Sequence, residues 1–241
     1  MTPPLPAPPA ATRGDRTRAA ILDAARRRFA EHGFDRTRLA EIGADAGVAE
    51  PTVAFHFGSK SGLLVAVMRA EYDALVREIE DVVAAPAAPE ARLAAFARFW
   101  VHALDERSEL IAVFGSQGRL GHGGPEFAAA FADCNRRVTR VFERLVDDLK
   151  AAGAIAPEVP GRVLRDAFFG TTEHLLLGRA LTGRPADLDR AADDVLALLF
   201  RGAAAAPAPA GRAAAADGPT LATLDAKLDV LLARPPGAAP A

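Results

Sequence analysis

Apolar positions recur at helical spacing along the first sixty residues and divide them into short helices. Ile21, Leu22, Ala25 and Phe29 share one face of a helix expected over 16–32, which Asp15 can cap. Gly33 lacks a Cβ and can close that helix with a left-handed turn, and Phe34 can supply the apolar contact that often follows. Thr37 can cap a second helix over 38–46, with Leu39 and Ile42 facing inward. Gly47 ends it and Val48 points back to the core. A short third helix follows with Pro51 in its first turn, where a missing N–H does no harm. Ser59 can cap a long fourth helix from Lys60. Two short helices around so tight a turn form a helix-turn-helix, whose second helix is shaped to enter a major groove.

The remainder reads as helical throughout, with helices expected over 60–84, 89–104, 107–117, 126–152, 161–181 and 186–201. Pro86 and Pro89, a Gly-rich loop at 118–125, Gly153 and Pro157, Gly183 and Pro185, and Gly202 separate them. No run of alternating β-branched residues bounded by turns predicts a strand, so the fold class is all-α. The expected organisation is a disordered leader at 1–12, a helix-turn-helix domain at 13–60 with its motif at about 38–57, a larger helical ligand-binding and dimerisation domain at 61–202, and an Ala/Pro-rich tail at 203–241. Leu221, Leu224, Leu228 and Leu231 in that tail have the 3-4-3 spacing of a coiled-coil seam, too short to be stable alone.

The N-terminal third resembles the TetR family of bacterial transcriptional regulators. The matching residues are Ile21-Leu22-Asp23-Ala24-Ala25, Phe29-Ala30-Glu31-His32-Gly33-Phe34, Thr37, Ile42, Ala46-Gly47-Val48, Thr52-Val53, His56-Phe57 and Ser59-Lys60 with Leu63-Leu64. The resemblance implies a sequence-specific DNA-binding regulator, acting as a ligand-released repressor and homodimer on a near-palindromic double-stranded DNA operator. It implies that Thr37, Thr52, His56 and Lys60 contact phosphates, while Glu50, Pro51 and Phe55 lie where base edges are met. Four positions depart from the family pattern. Arg38 replaces a threonine and could add a phosphate contact, Gly43 replaces an alanine, Ala49 replaces the serine that caps the recognition helix, and Ala54 replaces a tyrosine. The missing cap costs about 0.5–2 kcal/mol, so the recognition helix is expected to be loose until DNA is bound. The competing reading is a helical small-molecule-binding protein or enzyme that keeps the helix-turn-helix as scaffold.

Bulk properties fit a regulator. The chain has 241 residues, enough for a small DNA-reading domain and a larger helical one. Net charge is −2, which does not advertise nucleic acid, but Arg13, Arg16, Arg18, Arg26, Arg27, Arg28, Arg36, Arg38 and Lys60 concentrate at the N-terminal end among interleaved acids. Binding should therefore rest on a few placed contacts per subunit. Cys134 is the only cysteine, which excludes an internal disulfide and suits the cytoplasm. No apolar run reaches the ~18 residues of a membrane span, and the N-terminal Pro/Ala segment lacks the features of a signal peptide.

Catalytic chemistry is hard to place. The five histidines show no metal-ligand spacing, so neither a metal nor another cofactor is implied. Glu173-His174 reads better as a buried or interface polar pair than as an acid/base device, and Gly121-His122-Gly123-Gly124 reads as a connector. The family resemblance implies that the last two of these helices form a four-helix dimer interface. Phe168, Leu175 and Leu176, and Val195, Leu198 and Leu199, would be the apolar faces. It also implies an effector cavity for an apolar small molecule, with an acyl-CoA as one candidate. The aromatics Phe96, Phe99, Trp100, Phe114, Phe131, Phe142, Phe168 and Phe169 are its candidate lining, although a plain bundle core would use many of them. Arg137, Arg140 and Arg144 lie on one helical face and could meet an anionic head group. A solvated row paired as Arg140–Glu143 and Arg144–Asp148 is the simpler expectation.

Overall fold

A computed structural model describes residues 12–119, 123–182 and 187–203. The helices are α1 (Arg13–Arg36), α2 (Leu39–Asp45), α3 (Glu50–Phe57), α4 (Lys60–Val83), α5 (Pro89–Glu106), α6 (Ser108–Arg119), α7 (Gly124–Ala151), α8 (Gly161–Thr182) and α9 (Leu188–Ala203). No strand occurs among the described residues, and none of their helices is long and apolar enough to cross a membrane. The expected coiled-coil seam and nearly all of the predicted leader and tail lie outside the described residues.

Helix starts follow local chemistry. Thr12, expected in the leader, caps α1: its hydroxyl accepts the Asp15 N–H at 3.1 Å while the Asp15 carboxylate accepts the Thr12 N–H at 3.0 Å. This reciprocal box places Asp15 inside the helix and not at its cap. Ser59 caps α4 as expected, accepting the Gly62 N–H at 3.0 Å. Pro51, Pro89 and Pro125 each stand in the first turn of their helix.

Two cores result. The first joins Ile21 and Phe29 of α1, Ile42 of α2, Val53 of α3, Leu63 to Met68 of α4, Leu110 to Phe114 of α6, and Phe127 to Cys134 of α7. The second joins Leu75 to Ile79 of α4, Leu93 to Leu104 of α5, Val138 to Leu149 of α7, Leu164 and Phe168 of α8, and Ala192 and Val195 of α9. Among the described residues only α4 and α7 contribute buried side chains to both, and half-buried Ile111 of α6 packs against the second. At the seam Tyr72 packs against both cores, and its hydroxyl donates to Asn135 Oδ1 at 2.9 Å. Burial pushes the Tyr72 phenol well above its ordinary pKa, so it stays a neutral donor. The first core thus draws on helices far beyond residue 60.

Ion pairs tie the long helices side to side. Arg137 pairs with Asp73 and Arg144 approaches Glu80 at 3.7 Å, both across the α4–α7 contact. Glu143 is taken by Arg165 at 2.7 Å and Asp148 by Arg92 at 2.9 Å. The expected pairs within α7 therefore do not form, because neighbouring helices bring closer partners to the same carboxylates.

Candidate nucleic-acid interface

The interface is assembled by α1, α2, α3 and the start of α4. Gly33 takes φ 76°, breaking the α1 path, yet a further helical turn carries the chain to Arg36. Phe34 then folds against Phe29, with ring centroids 5.8 Å apart. The next residue with a decided role, Thr37, is 1% exposed. Its hydroxyl donates to the Gly33 carbonyl at 2.7 Å, with the Arg28 carbonyl 3.2 Å away, and its N–H donates to Phe34 at 3.3 Å. Thr37 thus closes the end of α1. It does not cap α2, and its hydroxyl is directed at the carbonyls of α1. Arg38 occupies the cap position instead, with its own N–H bonded to the Glu41 carboxylate at 3.1 Å and its guanidinium exposed.

Between α2 and α3 the chain turns tightly. Gly47 sits at φ 70°, and the Val48 N–H donates to the Gly43 carbonyl at 2.9 Å. Gly43 is more than a propensity defect. A Cβ there would stand 2.8 Å from the Val48 carbonyl oxygen and 3.4 Å from a Val53 methyl. The missing side chain is what lets α2 approach the turn. Arg28 of α1 grips Asp45 at the end of α2 through two bonds of 2.6 and 3.0 Å, holding the carboxyl below its usual pKa.

Helix α3 opens on Ala49, which provides no side-chain cap, with Glu50 and Pro51 exposed in its first turn. Val53 is fully buried and Phe57 half-buried, so these two dock the helix. Thr52 and His56 are half-buried along its flanks. On the outward side Phe55 is 86% exposed, edge-on to the His56 ring at 5.5 Å. The expected base-facing residues Glu50, Pro51 and Phe55 thus share the solvent side of one eight-residue helix.

Lys60 departs from expectation. Its ammonium donates to the carbonyls of Phe34, Asp35 and Thr37 at 2.9, 3.3 and 3.0 Å, and lies 4.4 Å from the Phe34 ring centre. An ammonium has three donors, and all three are used. A cation in the first turn of α4 opposes that helix's dipole, and aiming it at the carbonyl end of α1 converts the conflict into an attraction. Nothing in local spacing announces this contact, which spans more than twenty residues. The Thr12–Asp15 box, by contrast, was legible as Thr-x-x-Asp before an apolar run.

The aromatic set expected to line an effector cavity divides. Phe96, Trp100, Phe142, Phe168 and Phe169 meet ring on ring in the second core, with centroid separations from 4.9 Å (Phe142–Phe168, Trp100–Phe169) to 6.4 Å (Phe96–Phe169), and Phe99 packs beside them. Phe114 and Phe131 belong to the first core, where Phe131 stacks on Phe127 at 6.1 Å. The eight therefore do not line one common space, since helical spacing places residues on a face without saying which core that face meets. Inside the aromatic cluster the Trp100 Nε1–H donates to Thr172 Oγ1 at 3.1 Å, and that hydroxyl donates to the Phe168 carbonyl at 2.9 Å. Sequence reasoning missed Thr172. A cleft of about 240 Å³ lies elsewhere, where Arg92, Arg144, Asp147 and Asp148 stand beside Val83, Val141 and Leu145, and none of the eight aromatics lines it. Glu173 and His174, expected as a buried or interface pair, are exposed. On the expected dimer faces Phe168 and Val195 turn into the chain's own core, whereas Leu175 is 46% and Leu198 70% exposed.

Residues 21–67 match the family model of bacterial regulatory proteins of the tetR family. The chain is 22% identical over 184 residues to the fatty acid metabolism regulator protein of Bacillus subtilis (strain 168), covering 76% of this chain and 93% of that protein. The fold is similar to FadR from Bacillus subtilis in complex with stearoyl-CoA, with TM-score 0.67, 22% identity and coverage of 76% and 98%. It is similar as well to a Mesorhizobium loti protein described as a TetR-family transcriptional regulator, with TM-score 0.68, 23% identity and coverage of 80% and 100%.

Proposed function

The chain belongs to the tetR family of bacterial regulatory proteins and is a DNA-binding transcriptional regulator, and on that footing we propose that it is a cytoplasmic, homodimeric repressor released from a near-palindromic operator by an acyl-CoA or similar apolar effector. The observation that carries the DNA-reading role is Phe55, 86% exposed on a short helix whose opposite side is locked by Val53. An apolar ring so presented gains nothing in water, while in a major groove it can cover a thymine methyl group. Glu50 and Pro51 beside it meet neighbouring base edges, and Thr52, His56 and Arg38 meet phosphates. Residues 13–60 are the DNA-reading part and 61–202 the effector and dimer part, with α4 passing between them.

Dimerisation is supported by Leu175 and Leu198, apolar and outward on α8 and α9. Two copies paired there would carry two recognition helices to successive major grooves, ~34–36 Å apart or a multiple of it. The acyl-CoA assignment rests on the relatives, one named for fatty acid metabolism and one seen with stearoyl-CoA. An effector must bind the two DNA-affinity states unequally, since equal affinity shifts nothing. The deciding experiment is fluorescence anisotropy on a duplex selected from a randomised pool, titrated with stearoyl-CoA, beside light scattering at micromolar protein. Tight, sequence-dependent binding by a dimer and release by stearoyl-CoA are expected. A monomeric mass rules out the dimer, and DNA affinity unmoved by stearoyl-CoA rules out this effector class.

A further inference from the structure

Nine cations fall within residues 12–60, and their partners sort them into two groups. Arg26, Arg27 and Arg28 are paired with Glu71, Asp23 and Asp45. Arg36 donates to the His32 carbonyl at 2.9 Å, and Lys60 is held by three carbonyls. The guanidinium groups of Arg13, Arg16, Arg18 and Arg38 form no hydrogen bond or ion pair among the described residues. Asp15, three residues before Arg18, is the nearest acid in sequence; its carboxylate is bonded by the Thr12 N–H at 3.0 Å and hydroxyl at 2.7 Å and feels Arg18 only through space.

Arg18 alone of these four is placed against the recognition helix. Its guanidinium carbon lies 5.1 Å from the ring centre of Phe57, the last residue of α3. At about 100° per residue, Arg16 projects roughly 160° and Arg13 roughly 140° around α1 from it, away from that contact. A helix seated in a major groove ~12 Å wide has a phosphate strand along each flank. A planar, unpaired guanidinium at the flank of α3 is therefore where a phosphate oxygen is met, with geometry suited to two parallel bonds.

Resting on the DNA-binding reading above, we propose that Arg18 is a phosphate-contacting residue, and that Lys60 is a positioning residue that fixes the start of α4 to the end of α1. Lys60 could reach a phosphate only by vacating three carbonyls that no other described side-chain cation serves. Arg18 gives up only solvent, the face of a ring and a through-space attraction to Asp15, to which it makes no direct bond.

The salt dependence of DNA affinity separates these roles. Arg18→Met keeps an apolar stem on Phe57 and removes the charge, and Arg18→Lys restores it. Affinities of both, of wild type, and of Lys60→Met and Lys60→Arg are measured by anisotropy between 50 and 200 mM salt. One duplex is recovered from a randomised pool with wild type, and a second has unrelated sequence. Each lost phosphate contact lowers the slope of log affinity against log salt by ~0.9, hence ~1.8 for two subunits, so the Arg18→Met deficit should shrink ~12-fold over that range. Arg18→Lys should keep the wild-type slope. Lys60→Met should bind both duplexes more weakly with an unchanged slope and a lower melting temperature. Lys60→Arg, which cannot reproduce three carbonyl bonds from one nitrogen, should share the affinity loss. A wild-type slope in Arg18→Met overturns the Arg18 assignment. A reduced slope in Lys60→Met, or wild-type binding by Lys60→Arg, overturns the Lys60 assignment and stands even if Lys60→Met fails to fold. Wild type that binds neither duplex defeats the regulator reading itself, and this inference with it.

Discussion

Replacing Gly43 with alanine sets two local rules against each other. Helix propensity favours the change by about 1 kcal/mol, because glycine in a helix interior sacrifices backbone entropy. Packing opposes it. The new Cβ would sit 2.8 Å from the Val48 carbonyl oxygen, a backbone atom that cannot rotate away. Overpacking of this kind costs about 1–3 kcal/mol. Moving the Val48 peptide also strains its 2.9 Å bond to the Gly43 carbonyl, a bond worth about 0.5–1.5 kcal/mol. Packing should win, leaving Gly43→Ala about 1–2 kcal/mol less stable, or about 2–8 °C lower in Tm for a chain of this length. Urea unfolding at matched protein concentration reads the global effect, since association would otherwise shift it. Amide exchange across residues 42–57 reads the local one, with faster exchange expected from α2 and α3. Gly47→Asn supplies the contrast, because Gly47 is constrained by its positive φ with nothing within 4 Å of its Cβ direction, and asparagine tolerates that conformation. Gly43→Ala more stable by the full propensity gain would refute the close-approach argument.

Three further outcomes are expected. Ala49→Ser should restore a side-chain cap to α3, stabilise it by about 0.5–2 kcal/mol and slow amide exchange at residues 50–57, and unchanged exchange would show that the helix start is already secured. Thr172→Val should leave the buried Trp100 indole N–H without its acceptor at 3.1 Å and cost about 1–3 kcal/mol, measured by urea unfolding through the emission of the single tryptophan. A loss within experimental error there would mean that the indole finds another partner. Asp45 has its carboxyl held low by Arg28, so its contribution is fully present above the ordinary carboxylate pKa of 3.8 and is lost as pH falls through the lower folded value. Asp45→Asn should therefore flatten the acid limb of a Tm-against-pH curve below about pH 4, and an acid limb of wild-type steepness would assign that stability elsewhere.

What could be read from sequence, and what could not, divides along chain distance. Every helix beyond α3 announced itself, because 3.6-residue spacing and Pro/Gly punctuation are local properties, and boundaries missed by a residue or two where a cap competed with a breaker. At α1 the breaker acts as expected, and what the sequence did not show is the short turn that follows it. Gly33 does take the left-handed conformation, but Phe34 finds Phe29 and the helix resumes for one more turn. Thr37 was misread because capping a following helix and closing a preceding one need the same residue type. The direction was set by free carbonyls at the end of α1, which a sequence does not display. The same limit governs the charges. Glu143 and Asp148 had arginines four or fewer residues away, yet Arg165 and Arg92 from adjacent helices captured them, since packing two helices brings many more side-chain pairs within reach than one helix offers itself. For the DNA-facing surface this distinction is functional. Phe55 could be placed outward by its spacing from Val53, whereas the competence of a cation depends on what has already claimed it. Lys60 looked available and is bound by three carbonyls, while Arg18 looked like one of several flanking charges and is the one left unpaired against the recognition helix.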